Sequence, residues 1–334
     1  MPRDATVERK FELLRAVIRR LAVTWPLVGA PAALAGCGPC PDVDTIYLIR
    51  QPDDETRMLM EACQDPARKD CKPLCEHLAG RGDGGVGTSF VDGPIKHCEL
   101  HASHGDYAEV HVTWASYCPG GRRPEGLVVA PAGAAGAGEL FAQLAQLEAA
   151  SVPAFERLAR ELRAHGAPEP LVAEATRARA DERRHARVVA ALARRFGARV
   201  PRPGVPRREV RPLEVVAVEN AVEGCVREAY GAVVAAHQAA GAADPIVRRA
   251  MAAIAVDETR HTALSYAIDD WMRTRMGGAA RRRVAQARRE AHADLTRDVE
   301  RPIPAATAAL AGLPDAATAR QISAAVGRFA AEAA

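Results

Sequence analysis

Two short runs in this 334-residue chain carry the same chemistry. Asp181-Glu182-Arg183-Arg184-His185 and Asp257-Glu258-Thr259-Arg260-His261 each set a glutamate three residues ahead of a histidine. On a helix, positions i and i+3 are neighbours, so carboxylate and imidazole share a face. A further glutamate precedes each run at nearly the same distance, Glu148 in the first half and Glu223 in the second. The offset between halves is 75 residues at this first glutamate and 76 at the Glu-x-x-His. Mixed carboxylate and imidazole donors suit iron or manganese better than a soft metal.

Placement on the helices gives these spacings their force. Advancing about 100° per residue from Glu182, the residues Leu171, Ala175, Ala178, His185, Val189, Leu192 and Phe196 fall on one stripe. From Glu258, the same holds for Val247, Met251, Ile254, His261, Ser265, Ile268 and Met272. Glu148 sits among Leu144, Ser151, Phe155 and Leu162, and Glu223 among Val216, Val222, Val226, Tyr230 and Val234. Four glutamates and two histidines therefore occupy apolar stripes, where unneutralised charge costs several kcal/mol per group. Two metal ions shared by Glu148, Glu182, His185, Glu223, Glu258 and His261 would supply the missing positive charge. Other glutamates fit less well. Glu156 and Glu161 lie off the Glu148 stripe, Glu219 lies one turn before Glu223 on nearly the same face, and Glu228 is expected to be solvated. Cys225 is expected to pack as a small buried residue.

The elements that must carry these residues are long Ala/Leu/Arg/Glu segments. Helices are predicted over 139–165, 168–196, 212–240 and 244–276, with two more near 278–300 and 314–332. The breaks fall at His165-Gly166-Ala167-Pro168, at the proline-rich stretch 201–212 and at Gly241-Ala242-Ala243-Asp244-Pro245. Each half is then a helical hairpin, and two hairpins make a four-helix bundle over 139–276, with further C-terminal helices over 277–334. Composition agrees with a mainly α chain: 48% apolar, 26% charged and only 4% aromatic.

The arrangement of one glutamate from each first helix and Glu-x-x-His from each second is that of di-iron and di-manganese carboxylate bundles. With Leu147-Glu148-Ala149-Ala150-Ser151-Val152, Leu158-Ala159-Arg160-Glu161-Leu162 and Val222-Glu223-Gly224-Cys225, the chain resembles the ferritin-like superfamily. More closely, it resembles the ferritin-like domain proteins and lipoproteins of myxobacteria. The resemblance covers roughly residues 139–275. It implies a bundle binding two iron ions, with manganese as the alternative. It also implies an oxidoreductase acting on dioxygen, peroxide or Fe(II), or else a metal-binding or structural envelope protein without turnover.

The N-terminal third reads differently. Arg19-Arg20 precede a mostly uncharged stretch, Leu21 to Gly36, as in an export signal. Leu34-Ala35-Gly36-Cys37 resembles a bacterial lipobox, which implies cleavage before Cys37, lipid on that residue and membrane anchoring in the cell envelope. Residues 1–36 hold six basic and three acidic side chains, so the formal net charge of +3 lies entirely in this leader. Such a balance gives no support to nucleic-acid binding. Cys40, Cys63, Cys71, Cys75, Cys98 and Cys118 cluster in the next segment and are expected to form three disulfides, leaving Cys225 free. A zinc site on Cys71, Cys75 and nearby histidines is the rival reading.

Residues 37–118 are thus expected to form a small disulfide-rich α+β domain. It has helix within 52–79 and strands within 95–118, where Glu109–Trp114 alternates with period two. His97, His101, His104 and His111 are expected on a two-stranded ribbon. Residues 119–138, rich in Gly, Ala, Pro and Arg, read as a linker. A protein partner for the N-terminal segment is expected, its identity and the oligomeric state being open.

Overall fold

A computed structural model describes residues 5–24, 39–49, 52–65, 70–81, 85–86, 95–104, 107–117, 122–124, 127, 136–206, 209–299 and 303–333. The lipobox Leu34–Cys37 and Cys118 lie outside these residues. The described chain is mainly helical.

The first hairpin joins α4 (Gly136–Ala164) to α5 (Glu169–Arg195). Gly166 makes the reversal, with φ of +74°. The Ala167 amide donates to the Leu162 carbonyl at 2.9 Å and the Gly166 amide to Arg163 at 3.1 Å, which satisfies the last carbonyls of α4.

The second hairpin has a composite first arm. It runs through α6 (Leu213–Glu219), a π-helical segment (Asn220–Glu228) and α7 (Ala229–Gly241), then turns into α8 (Pro245–Arg275). Asp244 caps α8, accepting from the amides of Ile246 at 2.7 Å and Val247 at 3.2 Å, with Pro245 in the first turn where no amide is needed. The expected helix limits hold to within a few residues. The proline-rich break precedes α6, and α9 (Gly278–Asp298) and α11 (Ala316–Ala333) follow α8. A short helix, α10 (Ala305–Ala311), was not expected.

The helices close around two apolar clusters. One holds Leu144, Val189, Leu192, Tyr230, Val234 and Met251; the other holds Phe155, Leu158, Leu171, Val172, Leu264 and Met272. Along the four arms of the two hairpins the residues between these clusters are the glutamates and histidines of the repeat, so a polar layer lies between two apolar ones.

Helix α1 (Ala5–Thr24), within the segment read as a leader, packs on α8, α7 and α11. Leu14 is fully buried in a cluster with Cys225, Tyr266 and Phe329. Lys10 Nζ lies 3.0 Å from Asp270 on α8.

In chain order, the segment between α1 and the helical hairpins forms a four-stranded antiparallel sheet. Its order is β2-β1-β4-β3. Its strands are β1 (Pro39–Ile49), β2 (Gly85–Val86), β3 (Ile95–His104) and β4 (Tyr107–Tyr117). The two-stranded ribbon expected from sequence is its β3–β4 pair; β1 was missed, because its Pro- and Asp-containing start does not alternate. The helical stretch expected within 52–79, with its break near Pro66, is two helices, α2 (Asp54–Gln64) and α3 (Lys72–Arg81). Disulfides join Cys63 to Cys71 and Cys75 to Cys98, around a small core with Leu74 and Val110. Cys40 pairs through its backbone with Ser116 on β4. Among the described residues the one free cysteine is Cys225, buried as expected.

Candidate metal centre

Glu148 on α4, Glu182 and His185 on α5 and Glu258 on α8 come together. Each offers one ligand atom, all within 4.8 Å of one another, and every one of these side chains is buried. His261 adjoins them: its Nδ1 lies 3.1 Å from Glu182 and 3.5 Å from Glu258. His185 Nδ1 lies 3.3 Å from Glu258 and 3.4 Å from Glu148. The two imidazoles are 5.9 Å apart between centroids, so both Nδ1 atoms face one carboxylate group.

The far sides of the rings are held crosswise. His185 Nε2 lies 3.1 Å from Asp257 Oδ2, and His261 Nε2 lies 3.4 Å from Asp181 Oδ2. The aspartate of each half thus orients the histidine of the other. With the Nε2 proton on that hydrogen bond, Nδ1 presents its lone pair to the carboxylates, as a metal-ligating imidazole requires. Arg184 and Arg260 brace the aspartates: Arg184 donates to Asp181 at 2.8 Å and also to Asp257, and Arg260 donates to Asp257. Asp181 and Asp257 are functional residues that sequence reasoning left without a role. Their signal was the repeat itself, which carries Asp and the Arg before His at the same 76-residue offset.

The electrostatics show a site short of positive charge. Burial, together with Glu148 and Glu258, pushes the Glu182 carboxyl well above its ordinary range. Burial opposes charge on the imidazoles, yet the carboxylates around them raise both. For His185 these are Asp257, Glu148 and Glu258; for His261 they are Glu258, Asp181 and Glu182. Burial likewise opposes ionisation of Asp181, which His261 and Arg184 hold below its usual value.

Hydrogen bonding does not satisfy the cluster. One oxygen of Glu148, both oxygens of Glu182 and Glu258, and Nδ1 of both histidines are buried without a partner in hydrogen-bond geometry. Orphaned groups at this density are expensive, at about 1–3 kcal/mol each. A cation among them would answer all of them together, so the residues fit a metal.

No family model, curated protein or solved structure matches the chain.

The second half departs from expectation at its first helix. Glu223 does not join the cluster: its carboxylate accepts the Arg123 amide at 3.2 Å and is paired with Arg227. Glu219 is engaged by Arg157 at 2.8 Å and Arg211 at 2.7 Å, and Glu161 by Arg211 at 2.8 Å. Glu156, exposed beside Arg179, takes no part. Glu228, expected to be solvated, is fully buried. The physical reason is the π-helical segment, whose wider turn breaks the 100° arithmetic over Asn220–Glu228. Ser265 Oγ lies 3.1 Å from one Glu228 oxygen.

The stretch read as a linker also contributes. Arg122, Arg123 and Pro124 are buried, and Arg122 is fully enclosed. Composition hid it, since an arginine pair among Pro and Gly carries no periodic signal.

The histidines of the sheet show no comparable group among the described residues: His101 is exposed beside Glu99, and the side chains of His97, His104 and His111 lie outside the description.

Proposed function

We propose that this protein is a ferritin-like metal-carboxylate protein whose site takes iron, or manganese, between its two helical hairpins. The observation that carries this is the buried, unsatisfied group of Glu148, Glu182, His185 and Glu258 with His261 beside it. These residues would hold the ion through carboxylate oxygens and Nδ1. Asp257 and Asp181 keep the imidazole tautomers fixed, and Arg184 and Arg260 hold the aspartates ionised. A bound iron would supply one-electron redox chemistry towards dioxygen, peroxide or Fe(II). The protein's own part is to exclude bulk water and to keep the ligand geometry unchanged as charge on the ion changes. The Cys-rich segment carries no pair of Cys-x-x-Cys knuckles of the rubredoxin type.

Placement in the cell envelope rests on Leu34-Ala35-Gly36-Cys37 and on the disulfides Cys63–Cys71 and Cys75–Cys98. No helix among the described residues is long and apolar enough to cross a membrane. In this reading the attachment is lipid on Cys37. The docked α1 and a cleaved leader make opposite predictions for the mature N-terminus, and N-terminal sequencing of the native protein decides between them.

The metal reading is tested by elemental analysis of native protein and by titration of metal-free protein with Fe(II) under anaerobic conditions. Bound iron and a raised melting temperature are expected, both reduced in His185→Ala. Absence of metal, with no change in melting on adding Fe(II) or Mn(II), would sink it.

A further inference from the structure

The two halves of the polar layer are not equivalent, and the difference is Arg122. Around His185 the first-helix carboxylate, Glu148, has an oxygen without a hydrogen-bond partner and turned to the cluster. Around His261 the corresponding carboxylates are taken. Glu223 is tied to Arg123 and Arg227, while Glu228 faces the Arg122 guanidinium, with Nε 3.5 Å from Oε1 and both side chains fully buried.

Arg122 is built into this position. Its Nη2 donates to Asn220 Oδ1 at 2.9 Å and to Ser265 Oγ at 3.1 Å. Its guanidinium carbon stands 5.2 Å over the ring of Phe155, which itself lies 5.1 Å from the His261 ring. The Arg122 carbonyl accepts from Ser151 Oγ on α4 at 3.1 Å. Nε and Nη1 remain without a hydrogen-bond partner although fully enclosed. The π-helical segment makes room for it: a Cβ at Gly224 would collide with Ser265 and with Arg122 Nη2. The residue that aligns with Gly224 in the first half is Ala149.

We propose that Arg122 is a fixed internal cation that takes the charge-balancing place of a second metal, so that the centre holds a single ion on the Glu148–His185 side. This rests on the metal reading above and narrows its stoichiometry. A guanidinium is always charged and cannot leave without breaking its own hydrogen bonds, so it neutralises Glu228 permanently. The cluster then needs one exogenous ion, held by Glu148, Glu182, His185 and Glu258, with His261 kept for a proton or a distal contact. A dinuclear reaction that requires two adjacent ions is thereby closed to the native chain, and one-ion chemistry is favoured.

The test is metal stoichiometry of the metal-free full chain, read by calorimetric titration with Mn(II) and by electron paramagnetic resonance, which separates isolated from coupled Mn(II) pairs. Native protein should take up a single ion and show an uncoupled signal. Arg122→Met should free Glu228 and admit a second ion, with a coupled signal. Arg122→Lys, which keeps the charge, and Arg122→Met combined with Glu228→Gln should stay at a single ion. Two ions of similar affinity in native protein would overturn the proposal and leave the metal reading standing; no binding in any form would remove both. A folded Arg122→Met that still takes one ion also overturns it. Should that variant fail to fold, Glu228→Gln decides: it must keep the native stoichiometry, and loss of an ion there would make Glu228 a ligand and defeat the proposal.

Discussion

Asp257 is shared by an imidazole and two guanidiniums, and that sharing explains why an aspartate precedes each glutamate of the repeat. Its Oδ2 lies 3.1 Å from His185 Nε2 and accepts from it, while Arg184 and Arg260 keep it ionised. Asp257→Asn retains the size but loses the charge, so His185 can turn or take the wrong tautomer. We expect metal affinity to fall by about 10–100-fold with the ligands themselves intact, measured by Mn(II) titration. Asp181→Asn, which acts on His261 outside the four residues that hold the ion, should lower affinity less. Equal affinity in both variants would mean that the aspartates serve only the arginines. Ligand deletion should register in stability as well. Metal at 100 times its dissociation constant stabilises the native state by about 2.7 kcal/mol, and His185→Ala should abolish most of that shift in thermal melts.

Elements fix these residues through two devices, one legible from sequence and one not. Gly166 and the Asp244-Pro245 pair mark hairpin ends because turn and cap chemistry is local, so the limits of α4, α5 and α8 follow from residue type alone. The clustered glutamates and histidines of α4, α5 and α8 were legible for the same reason, since regular helices keep the 100° rule. The π-helical segment was not, because its extra residue depends on tertiary partners. The Tyr266 hydroxyl donates to the Cys225 carbonyl at 2.8 Å and Asn220 Nδ2 to the Ser265 carbonyl at 2.8 Å. That displacement misplaced Glu223 and Glu228 and kept the role of Arg122 out of view. Gly224→Ala should therefore destabilise by about 1–3 kcal/mol, as an overpacked core does, measured by urea unfolding.

The entrance to α6 supplies a second prediction at this scale. Arg211 bridges Glu161 of α4 and Glu219 of α6, and Arg157 adds to Glu219. Burial alone would raise the Glu219 carboxyl, but Arg211 and Arg157 bring it below its ordinary 4.5. A carboxylate depressed in the folded state contributes stability that is complete above the unfolded value and is lost as pH falls through the folded one. Stability should therefore drop on acidification below about pH 4.5, and Arg211→Ala should remove part of that dependence. The variant itself should cost about 3 kcal/mol near neutral pH, since it leaves buried carboxylates without their partner.

Across the whole molecule, the disulfides and the polar layer belong to different parts of the chain. Cys63–Cys71 and Cys75–Cys98 lie in the small core with Leu74 and Val110, whereas the glutamates lie between the two large apolar clusters. Mild reduction should loosen α2, α3 and the sheet while leaving metal uptake unchanged; parallel near-ultraviolet circular dichroism and metal titration would show the two responses separate. Loss of metal on reduction would show that the parts are coupled. Cys225 reports on α1 in the same experiment. Burial pushes its thiol far up, and Leu14 of α1 lies in its apolar cluster. A chain beginning at Cys37 should therefore label at Cys225 faster than the full chain.

The seat of α1 has a consequence in time. The residues that receive it come from 229–241, 245–275 and 316–333, so α1 leaves the ribosome long before the helices it packs on. Until then Val7, Phe11 and Leu14 form an unburied stripe beside Arg19-Arg20, open to whatever reads nascent chains. Once α8 and α11 have formed, the same stripe is enclosed. The interval between synthesis and completion is thus a clock, and a factor that binds the N-terminus must act before it runs out or compete with the folded core for the helix.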